Sequence, residues 1–236
     1  AFFLSALADG TSTVTNALLS DDTRATLRAV QAMGAEVAVQ DRRVTIAGGR
    51  LHAPTVPVNA LNSGTTMRIF TGLASMFLQP VTVDGDESLR QRPMKDLLDA
   101  LRQTGVVCRA APGDRPPVTV RGPNPGGRVK IGGGISSQFI TSLLLTAPML
   151  AADSEIEVEG RLVSAPYVDV TLAMMRLYGA RTSAFEQTYR VRGGTGYRPH
   201  DFRVPSDWSS AAFPLAAGAL GGEVTVTGLD LQDPQG

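Results

Sequence analysis

The residues with most chemical content in this 236-residue chain are short hydroxyl and amide side chains that recur at the starts of predicted helices. Asn62-Ser63-Gly64-Thr65-Thr66-Met67-Arg68, Ser136-Ser137-Gln138 and Ser209-Ser210 each open an apolar, helix-periodic segment. A helix start leaves backbone N–H groups without partners at the positive end of the helix dipole, and hydroxyl donors beside them complete a seat for phosphate or carboxylate. Ordinary N-capping accounts for any one of these serines. Three equivalent positions, with Gly64 permitting close backbone approach, point instead to one shared anion site. In Ser88-Leu89-Arg90-Gln91-Arg92-Pro93, two arginines at alternate positions add guanidinium groups that grip oxyanions through paired hydrogen bonds, with solvated surface charge as the plain alternative. Ser164-Ala165-Pro166-Tyr167-Val168-Asp169 stands at the equivalent place one repeat later. Its hydroxyls suit a polyol, unless Tyr167 is a buried tyrosine that satisfies its own hydroxyl.

Other positions carry less. Gly132, Gly133 and Gly134 precede a helix, but no Gly-Lys-Ser or Gly-Lys-Thr follows to make a nucleotide-gripping loop. Gly193, Gly194 and Gly196 read as a turn, His52 and His200 lie in proline-rich loops with no recognisable triad, and Cys108 falls inside a predicted strand as an inert packing residue. A single cysteine excludes an internal disulfide, and two histidines without a cysteine cluster exclude a familiar zinc constellation, so no metal or cofactor is expected. With 22 basic and 22 acidic residues the chain has no whole-molecule attraction to nucleic acid or anionic membranes, and a small-molecule partner is expected. The longest near-apolar stretch, Phe139 to Ala152, is shorter than the roughly 20 residues of a membrane span and reads as a buried helix.

These residues are positioned by an internal repeat. Three segments share the order helix, strand, helix, strand, strand at a spacing of roughly seventy residues. The first unit reads as helix 1–8, strand 12–16, helix 20–33 and strands 36–40 and 43–47. The second reads as helix 64–76, strand 81–83, helix 93–103 and strands 106–109 and 118–121. The third reads as helix 137–151, strand 155–159, helix 166–178 and strands 181–185 and 189–192. Ser20 with Asp21 and Asp22 caps one helix, and Pro93 and Pro166 in first turns with Gly105 and Gly179 past the ends punctuate two more. Amphipathic helices cannot bury their apolar faces alone, so three units are expected to pack helices inward around a pseudo-threefold axis with sheets outside. That is an α/β (α+β) domain.

A fourth copy begins at Ser209, with helix 210–220 and strand 223–227, and the first copy lacks a leading strand. The apolar start Ala1-Phe2-Phe3-Leu4 has no basic region before it and no initiator methionine, so a cut inside a longer protein is expected rather than a signal peptide. The expected organisation is a first domain over 1–204 and a truncated second domain over 205–236.

Taken in order and spacing, Asn62-Ser63-Gly64-Thr65-Thr66-Met67-Arg68, Arg92-Pro93-Met94, Ser136-Ser137-Gln138-Phe139, Ser164-Ala165-Pro166-Tyr167-Val168-Asp169 and Asp207-Trp208-Ser209-Ser210-Ala211 resemble the 5-enolpyruvylshikimate-3-phosphate synthase family. The resemblance implies an inverse-barrel-like domain of three βαβαββ repeats and a cytoplasmic transferase of the route to chorismate. Its reaction would join phosphoenolpyruvate to the 5-hydroxyl of shikimate 3-phosphate and release phosphate. By motif, Ser136, Ser137, Gln138 and Ser164 would hold shikimate 3-phosphate with Tyr167 beside its ring. Gly64, Arg92 and Gln138 would contact phosphoenolpyruvate, and Asn62 and Arg68 would shape that loop. Family members sensitive to glyphosate carry glycine at the position of Gly64. The family's Lys-Ser-x-x-x-Arg segment and its second-half carboxylates are not in the sequence, so the motif-matched residues are chiefly anion binders and no catalytic acid or base is assigned. The parent enzyme is expected to be monomeric, with the 236-residue piece prone to self-association. Two other readings compete: the sister transferase that acts on UDP-N-acetylglucosamine, which relies on a loop cysteine, and a noncatalytic anion-binding half or degenerate paralogue.

Overall fold

The structure, a computed structural model, describes residues 1–229. In chain order its elements are α1 (Phe2–Leu7), β1 (Thr11–Thr15), α2 (Asp21–Ala32), β2 (Glu36–Gln40), β3 (Arg43–Ala47), β4 (Val58–Asn59), α3 (Gly64–Ala74), β5 (Val81–Asp84), α4 (Lys95–Gln103), β6 (Val107–Ala111), β7 (Arg115–Arg121), β8 (Gly127–Gly132), α5 (Ser137–Thr146), β9 (Ser154–Glu159), α6 (Ala165–Leu177), β10 (Thr182–Phe185), β11 (Thr188–Val191), β12 (Phe202–Arg203) and α7 (Trp208–Gly221). Most helices end within two residues of the sequence reading, but the one expected over 137–151 stops at Thr146. Single 3-10 turns occupy Leu89–Gln91 ahead of α4 and Ala147–Met149 after α5, where Pro148 prevents the helix from continuing.

The strands form three four-stranded sheets, β12-β1-β3-β2, β4-β5-β7-β6 and β8-β9-β11-β10. Each has one parallel pair, β1 with β12, β4 with β5 and β8 with β9, and antiparallel pairing elsewhere. Parallel neighbours need a crossover, which α3 and α5 supply in the second and third sheets. Two helices therefore leave the same ends of neighbouring strands, α3 and α4 after β4 and β5, α5 and α6 after β8 and β9. This arrangement aims the helix starts toward one side of the molecule.

The leading strands β4, β8 and β12 are the elements that sequence reasoning did not assign. Two of them are only two residues long, and Gly127-Arg128-Val129-Lys130-Ile131-Gly132 is framed by glycines that read as loop. Residues 223–227, expected as a strand, are irregular. Extended backbone becomes a strand only when a ladder partner takes up its hydrogen bonds.

Burial sets the layers. The first helix of each unit is the most enclosed: α3 buries nine of its residues, Gly64 and Thr66 through Ala74 except Arg68, and α5 buries all but Gln138 and Thr141. The edge strands β2 and β10 are mostly exposed. α1 meets α3 through Phe3 and Phe70, whose ring centroids lie 6.5 Å apart. α3 meets α5 at Gly72, where a Cβ would fall 2.2 Å from Ser142 Oγ, so only glycine allows this approach. Paired hydroxyls fasten the remaining helices: Thr26 to Thr66 at 2.7 Å between α2 and α3, Thr141 to Thr171 at 2.8 Å between α5 and α6, and Ser5 to Tyr178 at 2.9 Å from α1 to the end of α6. Helices thus sit inside and sheets outside, as the repeat requires. α7 differs, since Ala211 is its one buried residue while Phe213 and Leu220 are 80% and 89% exposed. No helix among the described residues is long and apolar enough to cross a membrane.

Candidate functional site

The start of α3 is held on both sides. Ser63 caps it, its Oγ accepting from Thr66 N at 3.2 Å and sharing a hydrogen bond with Thr66 Oγ1 at 2.8 Å. Thr66 in turn bonds Thr26, so the cap is anchored to α2. Before it, Asn59 Oδ1 accepts at 2.8 Å from the N–H of Leu61, whose own φ is 53°. Gly64 follows as the first helical residue, and Arg68 lies one turn further on, on the same face.

Arg68 reaches from α3 to the start of α5. Its Nη1 donates to Gln138 Oε1 at 2.7 Å and to Ser136 Oγ at 3.2 Å, while its guanidinium lies 5.1 Å from the centroid of the buried Phe139 ring. Ser136 is the N-cap of α5, accepting from Gln138 N, and Gln138 Nε2 donates to Thr65 Oγ1 at 2.9 Å. From the opposite side Arg92, which ends the 3-10 turn after β5, donates to Asn62 Oδ1.

The two guanidinium groups meet at one backbone point. A Cβ on Gly64 would stand 2.6 Å from Arg92 Nη1 and 3.8 Å from Arg68 Nη1. The partners that hold them are neutral amide and hydroxyl oxygens. Four arginines outside this set do pair with carboxylates: Arg90 with Asp84, Arg102 with Asp99 and Asp114, Arg128 with Glu155 and Glu157, and Arg190 with Glu155. Burial first, and then the charge of Arg92, push the Arg68 guanidinium below its ordinary pKa. An anion placed between the two would relieve that repulsion and take up guanidinium donors that the neutral partners leave free.

Asn62, Gly64, Arg68, Arg92, Ser136 and Gln138 are thus brought into one connected set. Ser137 is buried in the same first turn of α5. Ser164 and Tyr167 stand at the start of α6, in a loop tied to the α5 approach by Val163 N donating to Gly133 O at 3.0 Å, and no hydrogen bond links them to the Arg68 set. Ser164 adopts left-handed backbone (φ 57°) and makes no cap hydrogen bond, and Tyr167 is 53% exposed, so the buried-tyrosine alternative does not hold. Two sequence candidates are committed elsewhere. Arg90 pairs with Asp84 at 2.6 Å, and the backbone N–H groups of Ser209 and Ser210 cap onto Asp207, the N-cap of α7. Thr65 and Phe139 have site contacts that sequence reasoning did not assign. Both belong to the motifs already singled out, but their partners lie far along the chain.

Cys108 lies in β6, opposite Val120, and burial pushes its thiol up to about 11 from an ordinary 9.0, despite Arg102 nearby. With so little thiolate, its alkylation by iodoacetamide at pH 8 in the native chain should run about a hundredfold slower than in the denatured chain. Rates within a few-fold of each other would show a reactive thiol instead.

The pattern of EPSP synthase (3-phosphoshikimate 1-carboxyvinyltransferase) matches residues 1–236. The chain belongs to the EPSP synthase family. It is 47% identical over 239 residues to the 3-phosphoshikimate 1-carboxyvinyltransferase of Methanocorpusculum labreanum, covering all of this chain and 56% of that protein. To the enzyme of the same name from Serratia proteamaculans it is 40% identical, covering all of this chain and 57% of that one. Among solved structures, the EPSP synthase of Acinetobacter baumannii superposes with a TM-score of 0.79 at 28% identity, over 90% of this chain and 48% of that one. The chain spans about half the length of the curated relatives it matches. The three-sheet, helix-inside architecture is therefore the EPSP synthase inverse barrel.

Proposed function

We propose that this chain supplies the anion-binding half of a 3-phosphoshikimate 1-carboxyvinyltransferase, which moves the enolpyruvyl group of phosphoenolpyruvate onto the 5-hydroxyl of shikimate 3-phosphate and releases phosphate. The observation that carries the reading is the pair of guanidinium groups, Arg68 and Arg92, converging on the bare face of Gly64 with neutral partners only. In this reading Gly64, Arg92 and Gln138 contact phosphoenolpyruvate. Ser136, Ser137, Gln138 and Ser164 hold shikimate 3-phosphate, Tyr167 lies against its ring, and Asn62 and Arg68 keep the two helix starts in register. Both substrates are small and anionic, in keeping with a cytoplasmic enzyme without a cofactor.

The reaction also needs a proton delivered to the methylene carbon and one removed from the attacking hydroxyl. The connected set here consists of guanidinium, amide and hydroxyl groups, which bind and orient anions but are poor proton carriers near pH 7. We assign residues 1–204 to the first domain and 205–236 to the start of a second, whose α7 offers Phe213 and Leu220 to whatever packs there or to a second copy of this chain.

The chain alone should bind shikimate 3-phosphate weakly and release no phosphate when given both substrates, because charged clamps and closure supply most of the transition-state stabilisation. Extending it to the length of its relatives should restore release. Turnover by the 236-residue chain would overturn the half-site assignment. Absence of turnover in the extended protein would favour a degenerate paralogue.

A further inference from the structure

Alternation along the third sheet sorts its outer face into cross-strand rows. One row runs Ser183, Arg190, Glu155 and Arg128 across β10, β11, β9 and β8. Here charge alternates in sign: Arg190 Nε lies 2.7 Å from Glu155, and Arg128 lies 3.3 Å from Glu155 and 2.6 Å from Glu157. The next row places Arg181 directly opposite Arg192, continuing the Thr182–Val191 register and joined by Arg192 N donating to Arg181 O at 3.1 Å. Both side chains are exposed, and neither makes an ion pair or a side-chain hydrogen bond among the described residues. Asp153 is next in this row, and its Oδ1 already accepts from Gly193 N at 3.0 Å.

Directly opposed like charges destabilise an antiparallel pair. Here they stand at one end of an open cleft of about 630 Å³ lined also by Arg128, Ser183 and Arg190. That volume lies within the range of small-molecule sites.

We infer that Arg181 and Arg192 form a second oxyanion site, on the outer face of the third sheet and separate from the helix-end site, which takes the phosphoryl group of a small phosphorylated metabolite. Two guanidinium forks at cross-strand spacing offer more donors than one carboxylate accepts, and they match a doubly charged group with three free oxygens. The cleft leaves room beyond the phosphoryl group for the rest of the molecule. The adjoining cleft shares Arg128, Glu155, Ser183 and Arg190 with this one and ends at the exposed ring of Phe185, an apolar surface within reach of a ligand anchored at the arginines.

The test uses inorganic pyrophosphate as the probe and the arginine Nε–Hε NMR signals of the 236-residue chain as the readout, with Arg181 and Arg192 identified by their loss in Arg181→Gln and Arg192→Gln. Both signals should shift together with one saturating midpoint, unchanged in Gly64→Ala, which disturbs only the helix-end site. The shifts should exceed those that sodium chloride of equal ionic strength produces, and Arg181→Gln should raise the midpoint read at Arg192, and Arg192→Gln that read at Arg181, at least about tenfold. In dilute chloride without phosphate, Arg192→Gln should raise the melting temperature, and pyrophosphate should narrow that gap. Signals that follow ionic strength without saturating would overturn the site, as would a Gly64→Ala variant that abolishes the shifts.

Discussion

Arg68→Gln is expected to weaken binding of shikimate 3-phosphate to this chain about a hundredfold or more, measured by calorimetry against the unaltered chain. Arg68 donates to both Gln138 and Ser136, two of the residues that hold the sugar phosphate in the reading above. It also provides one of the two positive charges at Gly64. Without those two bonds Ser136 and Gln138 lose their fixed geometry, and the loss of the two contacts they make to the anionic ligand, at roughly 1.5–3 kcal/mol each, suffices for the stated loss. Folding should suffer less. The guanidinium is only half-buried, and its stacking over Phe139 is worth about 1 kcal/mol at a partly exposed site. Arg68→Lys separates charge from geometry: an ammonium restores positive charge but lacks the planar guanidinium that lies over Phe139 while one of its nitrogens reaches Ser136 and Gln138. Recovery to near the parent affinity would show that charge alone matters, and an unchanged affinity in Arg68→Gln would remove Arg68 from the site.

The legible part of this molecule was its punctuation. Ser20, Ser63 and Ser136 each accept a backbone N–H as helix caps, because cap chemistry is local and a hydroxyl two or three residues ahead of its donor leaves a signature in a single sequence. The fold followed from the recurrence of those caps. Residue type and spacing did not separate Arg90 from Arg92, and only the family resemblance singled out Arg92. The two share residue type and flank the same Gln91. They differ only because the turn at Leu89–Gln91 points Arg90 back to Asp84 at the end of β5, while Arg92 emerges extended toward Asn62. The contact between Gln138 and Thr65 was equally out of reach, since its partners are 73 residues apart and meet only once two central helices are packed at Gly72. The leading strands escaped for a related reason: two residues of β4 become a strand only because β5 lies beside them. The hydroxyls at 209 and 210 repeat the pattern of the other helix starts, yet Asp207 takes the capping role there. Similarity of composition at a helix start therefore does not make every such start a ligand seat.

Gly64→Ala is the sharper test, because it should separate binding from stability. Gly64 has no left-handed backbone and sits in the first turn of a helix, where alanine is the better helix former by up to about 1 kcal/mol. Nothing in the local conformation asks for glycine. What asks for it is space. The added methyl would stand 2.6 Å from Arg92 Nη1, too close for contact, and the flexible end of Arg92 is the part free to move. The variant should therefore melt at or slightly above the parent temperature. Arg92 would meanwhile leave Asn62 Oδ1 and swing out of the pocket. Removing one charge-assisted contact, roughly 1.5–3 kcal/mol, predicts a loss of phosphoenolpyruvate affinity of about ten- to a hundredfold. Glyphosate, which the family resemblance places at the same glycine, should lose at least as much. Shikimate 3-phosphate, held through α5 and α6, should lose much less. If phosphoenolpyruvate and shikimate 3-phosphate weakened equally, Arg92 and Gly64 would not form a distinct subsite. If the melting temperature fell by many degrees, the glycine would be serving helix packing rather than the ligand.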